Sequence, residues 1–224
     1  MPKNPRVGRV GKRLKTRDSL LIATQQLLLE KPASEISIRE ITDRAGVVHA
    51  TFYNYYRTTG AAFEAVSLLL FAAYGDVIER TVADITDPAE RVAASSRQTM
   101  RVVSQSPRLG KLLFDSGLST APLLEGVRAR ISDDVRMGLE AGRFKVDNLE
   151  LVISAAAALG LGVAIDVYEG RLTGLSAEAV AGMVLSILGV PDEEARDILA
   201  RPLRDHKMPA VPLSLVEQTT RLGD

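Results

Sequence analysis

The chain has 224 residues, of which 46% are hydrophobic, and its formal net charge is zero. This length allows one large domain or two small ones, with enough apolar surface to build a core. Cysteine is absent, which excludes disulfides and thiolate metal sites, and only two histidines are present. Because the chain lacks cysteine and its N-terminus shows no signal-peptide pattern, we expect a cytoplasmic protein. We also expect no metal and no cofactor.

The N-terminal segment is strongly basic. Residues 1–17 contain no acidic residue, and Pro2, Pro5, Gly8 and Gly11 predict a flexible arm over residues 1–15. Such an arm either contacts a polyanion or remains a solvated tail that aids solubility. The basic residues are Lys3, Arg6, Arg9, Lys12, Arg13, Lys15 and Arg17.

Residues 16–59 show the pattern of three helices. The first carries an apolar stripe at Leu20, Ala23 and Leu27, with Thr16 as its expected N-cap, and ends near residues 31–32. The second opens on "SIRE", in which Ser37 and Glu40 fit a capping box.

Gly46 is expected to end the second helix, and a third helix is predicted over residues 48–56. Two short helices joined by a glycine turn predict a helix-turn-helix, although an ordinary helical hairpin would share the pattern. In a helix-turn-helix the second helix of the pair enters the DNA major groove. Phe52 and Tyr56, four residues apart, are expected to pack against the first helix, which leaves Tyr53 to face a phosphate.

The rest of the chain is predicted to be helical, so the fold class is all-α. The prolines of residues 201–224 predict an extended C-terminal tail. Helices are expected at 60–84, 88–105, 108–117, 121–141, 148–169, 176–189 and 192–200.

The helices predicted at 148–169 and 176–189 carry small or aliphatic residues on almost every side. A helix of this kind is buried on more than one side. A homodimer that packs these two helices from each subunit into a four-helix bundle achieves this, as would a central position within the monomer. The uncharged run from Leu151 to Ile165 is shorter than the roughly 20 residues that span a bilayer, so no membrane is expected.

Residues 17–66 resemble the DNA-binding region of the TetR family of transcriptional regulators. The resemblance is carried by "LLIATQQLL", "SIREITDRAGV", "TFYNYY" and "AAFEAV". It implies a three-helix DNA-binding domain over residues 16–59, followed by a helical domain over residues 60–200 that binds an effector and dimerises. It also implies a ligand-responsive regulator, typically a repressor, that binds a palindromic operator as a dimer.

The resemblance also implies DNA contacts at individual positions. Arg39, early in the second helix, matches a residue that reaches a base or a phosphate, and Ser37 caps that helix in a neighbourhood that touches backbone phosphate. Thr51 and Tyr53 match positions that contact phosphate, and base contacts fall to His49, Ala50 and Asn54. Where the family usually has a lysine, this chain has Thr59, and Arg57 is the expected substitute.

An effector pocket is less visible in the sequence. Larger side chains on the candidate helices would line a mainly apolar pocket, although such residues also build ordinary cores. They are Phe71, Tyr74, Met100, Val103, Phe114, Leu118, Met137 and Tyr168.

Catalysis has little support in the sequence. It contains no glycine-rich phosphate loop, nucleophile elbow or H-E-x-x-H motif. Two other classes stay open: a helical protein–protein adaptor, and a small-molecule carrier or enzyme that uses a helical cavity. Duplex binding would exclude the first, and turnover of a bound ligand would support the second.

Overall fold

The computed structural model describes the backbone of residues 5–216 and the side chains from residue 11 onward. Within that range it contains ten α-helices and no strand, which confirms the all-α prediction. The helices are α1 (Pro5–Glu30), α2 (Ile38–Ala45), α3 (His49–Phe52), α4 (Thr59–Val82), α5 (Pro88–Gln105), α6 (Pro107–Gly110), α7 (Ala121–Glu140), α8 (Leu149–Tyr168), α9 (Ala177–Ile187) and α10 (Asp192–Ala200).

The chain divides into two compact units, neither of which is continuous in sequence. The first unit comprises the chain up to Ala73, the segment Lys111–Ser119 and the segment from Pro209 onward. The second comprises Tyr74–Gly110 and Thr120–Met208. The expected division at residues 59 and 200 therefore does not follow the boundaries of the compact units.

The first helix begins earlier than predicted. It includes Pro5, and Thr16 lies inside it, where its hydroxyl donates to the carbonyl of Lys12 (3.1 Å) and does not act as an N-cap. The described part of the basic arm is thus helical, and residues 1–4 lie outside the described residues. The glycines at 8 and 11 weaken a helix by only about 1 kcal/mol each, which is too little to stop it.

Two other helices differ from the prediction. The third helix has only four residues, because the chain enters a turn after Phe52. The helix expected at 108–117 is instead the short α6, continued by a π-helical turn over Lys111–Asp115.

The core of the first unit lies against α1. Leu20, Ala23 and Leu27 are buried, which confirms the predicted stripe, and the full burial of Phe52 confirms its inward position. Tyr56 is also buried, and its hydroxyl accepts a hydrogen bond from Arg17 Nε (3.4 Å). The α1 helix therefore supplies the surface on which α2 and α3 are placed.

The second unit has its own core, contributed by α5, α7, α8, α9 and α10. Val135, Phe144, Ala181 and Leu185 are among its buried residues. The α5 helix packs along α9, and α7 packs along α8.

One face of α8 and one face of α9 are not covered in the second unit. On α8 this face carries Leu151, which is 65% exposed, and on α9 it carries Met183, which is 55% exposed. Both faces are built from apolar or small residues, a composition that is unusual for a solvated surface. The exposed residues are Glu150, Leu151, Ser154, Ala158 and Gly162 on α8, and Ala179, Met183, Ser186 and Ile187 on α9; Glu150, in the first turn of α8, is the one charged residue among them.

Two helices, α4 and α8, are long and apolar enough to cross a membrane by length and composition. The full α8 helix has 20 residues, so length alone does not exclude this, contrary to the estimate from its uncharged run. Half of the apolar window of α4 is buried, against 22% of that of α8. The low burial of α8 reflects its uncovered face.

The tail from residue 201 lacks regular structure up to residue 214, in agreement with its proline content, but it is not solvated throughout. The Val211 and Leu213 side chains are buried.

Candidate nucleic-acid interface

The N-terminus of α2 is held by a reciprocal capping box. The Ser37 hydroxyl accepts from the backbone N–H of Glu40 (3.3 Å), and the backbone N–H of Ser37 donates to Glu40 Oε2 (3.0 Å). The Ser37 hydroxyl also donates to the same carboxylate oxygen (2.8 Å). This arrangement confirms the capping box and engages the Ser37 hydroxyl within the protein as both acceptor and donor.

Lys31 adds a charge to this cap. Its ammonium group lies 2.6 Å from Glu40 Oε1 and also donates to the carbonyl of Glu35 (2.8 Å). These contacts lower the pKa of Glu40 from 4.5 to about 2, first through the Lys31 hydrogen bond and then through Ser37. The carboxylate therefore stays ionised at neutral pH, which suits the positive end of a helix.

The other end of α2 is tied to α1. Arg44 donates two hydrogen bonds to the carboxylate of Glu30, each 2.8 Å long. The hydrogen bond from Arg44 is the main cause that lowers the pKa of Glu30. A bidentate pair of this kind fixes direction as well as distance.

The turn between α2 and α3 depends on Gly46. Its φ of +67° lies in the left-handed region, which a side chain rarely adopts. The following N–H, of Val47, donates to the carbonyl of Thr42 (3.0 Å) and closes the end of α2. The predicted helix-turn-helix is thus present, with a shorter second helix.

The aromatic cluster after this turn divides as predicted between interior and surface. Tyr53 is 53% exposed, and its ring meets those of His49 and Phe52 edge to face, with centroids 5.6 and 5.8 Å apart. Phe52 is fully buried, so the Tyr53 ring packs against a side chain of the core. Tyr53 therefore presents its phenol to solvent from a fixed base.

Most of the other predicted contact residues lie on the surface. Arg39 has an 85% exposed side chain, with Asp43 3.7 Å away on the next turn. Thr51 is half-buried, whereas the remaining members are exposed: Ser37, His49, Ala50, Asn54 and Arg57.

Val48 is a surface residue that the sequence did not indicate. It is 73% exposed and precedes α3, although the third helix was predicted to begin at residue 48. Val48 has extended backbone angles and lies outside the helix, so it does not follow the helical periodicity of α3. An exposed aliphatic group here could contact a thymine methyl.

The basic part of α1 belongs to the same unit as these helices. Lys12, Arg13 and Lys15 are exposed, and the Arg13 guanidinium lies 6.0 Å from the centre of the half-buried Tyr55 ring. This is within the range of a cation–π contact. Helical periodicity could not predict this contact, because the two residues are 42 positions apart in the chain.

Thr59 is the first residue of α4 and half-buried. The adjacent Thr58 caps the helix, since its hydroxyl oxygen accepts from the backbone N–H of Ala61 (3.1 Å). Thr58 was missed because no acidic residue follows it three positions later to complete a capping box.

The predicted pocket residues are divided between the two units. Phe71, Phe114 and Leu118 belong to the first and are half-buried. In the second unit, Met100 is buried and Met137 lies at the surface, 41% exposed.

Two tyrosines of the second unit make specific contacts. The Tyr74 hydroxyl lies 2.7 Å from Thr99 Oγ1, and burial raises the pKa of Tyr74. The Tyr168 ring packs directly over Gly110, where a Cβ would lie 2.5 Å from it. Val103, the remaining predicted pocket residue, is half-buried in the same unit.

Among the described residues, no group of three or more His, Asp or Glu side chains could hold a metal ion.

Comparison with known proteins agrees with this architecture. Residues 87–201 match the family model described as "Tetracyclin repressor-like, C-terminal domain". Two curated relatives, uncharacterized HTH-type transcriptional regulators from two strains of Mycobacterium tuberculosis, are each 32% identical over 92 residues. The match covers 41% of this chain and 46% of each relative, so the chain spans about half the length of the curated relatives it matches.

Solved structures resemble the chain over a longer range. RolR in complex with resorcinol has a TM-score of 0.69 and 27% identity, covering 88% of this chain and 98% of that one. RolR without ligand has a TM-score of 0.65 and 28% identity, covering 84% and 98%. A putative TetR-family transcriptional regulator from Syntrophomonas wolfei, with a TM-score of 0.64 and 21% identity over 78% of this chain and 93% of that one, shares the fold.

The capping charge can be tested by titration. We expect Lys31→Met to raise the pKa of Glu40 from about 2 towards 4.5, because the largest cause of its depression is removed. Carbon-13 NMR of the side-chain carboxyls across pH measures this change. Since the folded-state pKa is depressed, Glu40 stabilises the fold above about pH 4.5, and this contribution is lost as the pH falls towards 2.

Arg44→Met serves as the control, because it removes the partner of Glu30 and leaves the Lys31–Glu40 pair in place. A Glu40 pKa that stays near 2 in Lys31→Met would show that Ser37 alone holds the carboxylate.

Proposed function

The chain belongs to the TetR family of transcriptional regulators, and from that premise we propose that it is a ligand-responsive repressor that binds a palindromic operator as a homodimer. The observation that carries the proposal is the exposed face of the helix-turn-helix. Tyr53 and Arg39 are exposed there, on helices whose opposite side is buried. Two such faces related by a twofold axis would read the two halves of a palindrome.

The exposed residues would divide into two classes of contact. The Tyr53 hydroxyl and the Arg39 and Arg57 guanidiniums suit phosphate oxygens, which position a protein without specifying sequence. His49 and Asn54 carry groups that can bond guanine and adenine, and the methyl of Ala50 can meet that of thymine. Thr51, which is half-buried, and Ser37, whose hydroxyl serves the cap, would contribute at the margin of this face.

The basic end of α1 would add to the phosphate contacts. Lys12, Arg13 and Lys15 are exposed, and Arg13 lies against Tyr55, two residues beyond Tyr53. Each phosphate neutralised releases counterions, so the loss of the family lysine at Thr59 would be offset here. The helical form of this segment supports this role over that of a solvated tail.

Dimerisation would cover the exposed faces of α8 and α9. Gly162 has no other atom within 4 Å of a Cβ built on it, and it shares the exposed face of α8 with Ala158, so this side of α8 is open for the close approach of another helix. Two helices from each subunit would form a four-helix bundle. The exposure of Leu151 and Met183 favours this over a central position within the monomer.

The effector would be small and mainly apolar. In the second unit, Tyr74, Met100, Val103 and Tyr168 would give an effector a largely apolar lining with two hydroxyl groups. Phe71, Phe114 and Leu118, which belong to the first unit, stay candidates for effector contacts, and the surface position of Met137 makes it the weakest of the eight. The RolR structure contains resorcinol, a small aromatic compound, which is consistent with this class.

Effector binding is expected to weaken operator binding. The α4 helix begins in the first unit and ends in the second, so it is the natural lever between the two functions. A coupling free energy of about 1–3 kcal/mol would change operator affinity roughly 5- to 150-fold, and operator would weaken the effector equally. The protein would act in the cytoplasm, without a membrane, cofactor or catalytic step.

Selection of bound genomic DNA fragments by the full-length protein tests the proposal most directly. We expect enrichment of a small set of fragments that share an inverted repeat, with footprints of dimer size. Enrichment that is uniform across the genome would contradict sequence-specific binding and favour an adaptor or a carrier.

The two classes of DNA contact predict different mutant behaviour. We expect Tyr53→Phe to weaken binding to selected and unrelated fragments alike, by about 1 kcal/mol, because a phosphate hydrogen bond carries no sequence information. His49→Ala or Asn54→Ala should change base preference by about 1–3 kcal/mol if it removes a base contact. Binding titrations on selected and base-substituted fragments distinguish the two, and equal losses on all fragments would assign His49 and Asn54 to the backbone.

The basic end of α1 predicts a change in salt dependence. Replacing Lys12, Arg13 and Lys15 with glutamine should reduce the slope of log affinity against log salt by about 0.9 for each phosphate that is no longer neutralised. Replacing the exposed Arg136, Arg196 and Lys207 of the second unit removes the same charge and serves as the control. Equal slopes for the two triple variants would mean that the α1 charges do not reach DNA.

The proposed dimer predicts a change in mass. Met183→Lys should yield a monomer, because a lysine ammonium buried between subunits would lack a partner. Ala200→Lys places the same side chain on an exposed position of α10 and should leave the dimer intact. Light scattering after size exclusion measures both, and a dimeric Met183→Lys would place the interface elsewhere.

A further inference from the structure

The C-terminal segment is a buried part of the chain that the proposed function leaves without a role. Leu213 is only 1% exposed and Val211 is 8% exposed, although the chain forms no regular structure from residue 202 to residue 214. Irregular segments usually run over the surface, because their backbone groups need water or another partner. A buried one must find specific partners within the protein.

Gln25 of α1 supplies such a partner. Its Nε2 donates to the carbonyl of Leu213 (2.9 Å), and the Leu213 N–H donates to its Oε1 (2.7 Å). Gln25 is itself completely buried, and Nε2 also approaches the carbonyl of Leu21 (3.3 Å). The side-chain amide therefore satisfies both backbone groups of one residue, as a neighbouring strand would.

A second anchor lies two turns earlier on the same helix. One carboxylate oxygen of Asp18 accepts from the Ser214 hydroxyl (2.8 Å) and the other from the Leu215 N–H (2.6 Å). Asp18 is 9% exposed, so water contributes little to its solvation. Residues seven apart share a helix face, so the two anchors hold the segment along one side of α1.

The same helix carries the contacts that place the helix-turn-helix. Arg17 bonds Tyr56, Glu30 pairs with Arg44, and Arg13 lies against Tyr55. We infer that residues 211–215 form a clasp that completes the DNA-binding unit by holding α1, and with it the reading face, in its binding position. The part of this inference that concerns DNA rests on the proposed function, whereas the part that concerns α1 does not.

The nature of the contacts explains why the clasp acts as a positioning device and not only as a cover. Leucine and valine side chains alone would tolerate a shift along α1, because apolar packing is not directional. The paired amide hydrogen bonds of Gln25 and the two contacts of Asp18 specify one register. The clasp is therefore expected to hold α1 in one position without contacting DNA.

Hydrogen exchange on the free protein tests the clasp. A chain that ends at Met208 lacks the clasp, and a chain that ends at Val216 keeps it and serves as the control. We expect the amides of residues 18–28 to exchange about tenfold faster or more in the shorter chain, and the α9 amides of the second unit to be unchanged. Unchanged exchange in α1 would overturn the inference.

A point variant guards against general unfolding of the shorter chain. Gln25→Met preserves volume but removes both hydrogen bonds to Leu213, and Gln26→Met makes the same change at the neighbouring, half-buried position. Faster exchange of α1 in Gln25→Met alone supports the clasp. Equal exchange in the two variants overturns it, even if the chain that ends at Met208 unfolds.

Affinity for the fragments selected by the full-length protein then tests the positioning role. We expect Gln25→Met to bind them about tenfold more weakly or worse, and Gln26→Met to bind them normally. If α1 exchanges faster in Gln25→Met but the affinity for the fragments is unchanged, the clasp stabilises α1 only, and its role in positioning the DNA-binding face is overturned. If the full-length protein selects no fragment, the proposed function fails, and the exchange measurements still decide on the clasp.

Discussion

Burial of the apolar face of α1 is the constraint on which the first unit depends. Leu20, Leu21 and Leu28 of this helix are at most 2% exposed, and each contributes about 1.5–3 kcal/mol by leaving water. The surface that covers them comes from distant parts of the sequence. The α2 and α3 helices are too short to be stable alone, so they exist as helices because α1 gives them a place to pack.

Polar contacts then convert this apolar association into a defined geometry. The capping box directs the start of α2, the Glu30–Arg44 pair directs its end, and Gly46 sets the angle to α3. Each of these contacts is exposed and contributes little to stability alone. Their value lies in orientation, since the exposed side chains of α3 would otherwise face an arbitrary direction.

The second unit presents the opposite situation. Its core is complete, yet α8 and α9 leave apolar faces uncovered, and small residues such as Ala158 and Gly162 lie where a partner helix could approach closely. Solvated helices carry charges on their outer face, whereas Glu150, in the first turn of α8, is the only charged residue among the exposed positions of these two helices. The proposed subunit interface would explain the apolar composition that makes α8 resemble a membrane helix.

The sequence by itself determined the all-α fold, nearly all helix positions, the capping box at Ser37 and the inward or outward position of Phe52, Tyr53 and Tyr56. These features depend on local rules: hydrophobic periodicity, capping residues and the left-handed preference of glycine act within a few residues. Only the tertiary structure decided the length of α3, the exposure of Val48, the contact of Arg13 with Tyr55 and the burial of Leu213 against Gln25. Some of those features join residues far apart in the chain, and others depend on how much surface is available for a short helix to pack against. Neither can be predicted from a local pattern of residues.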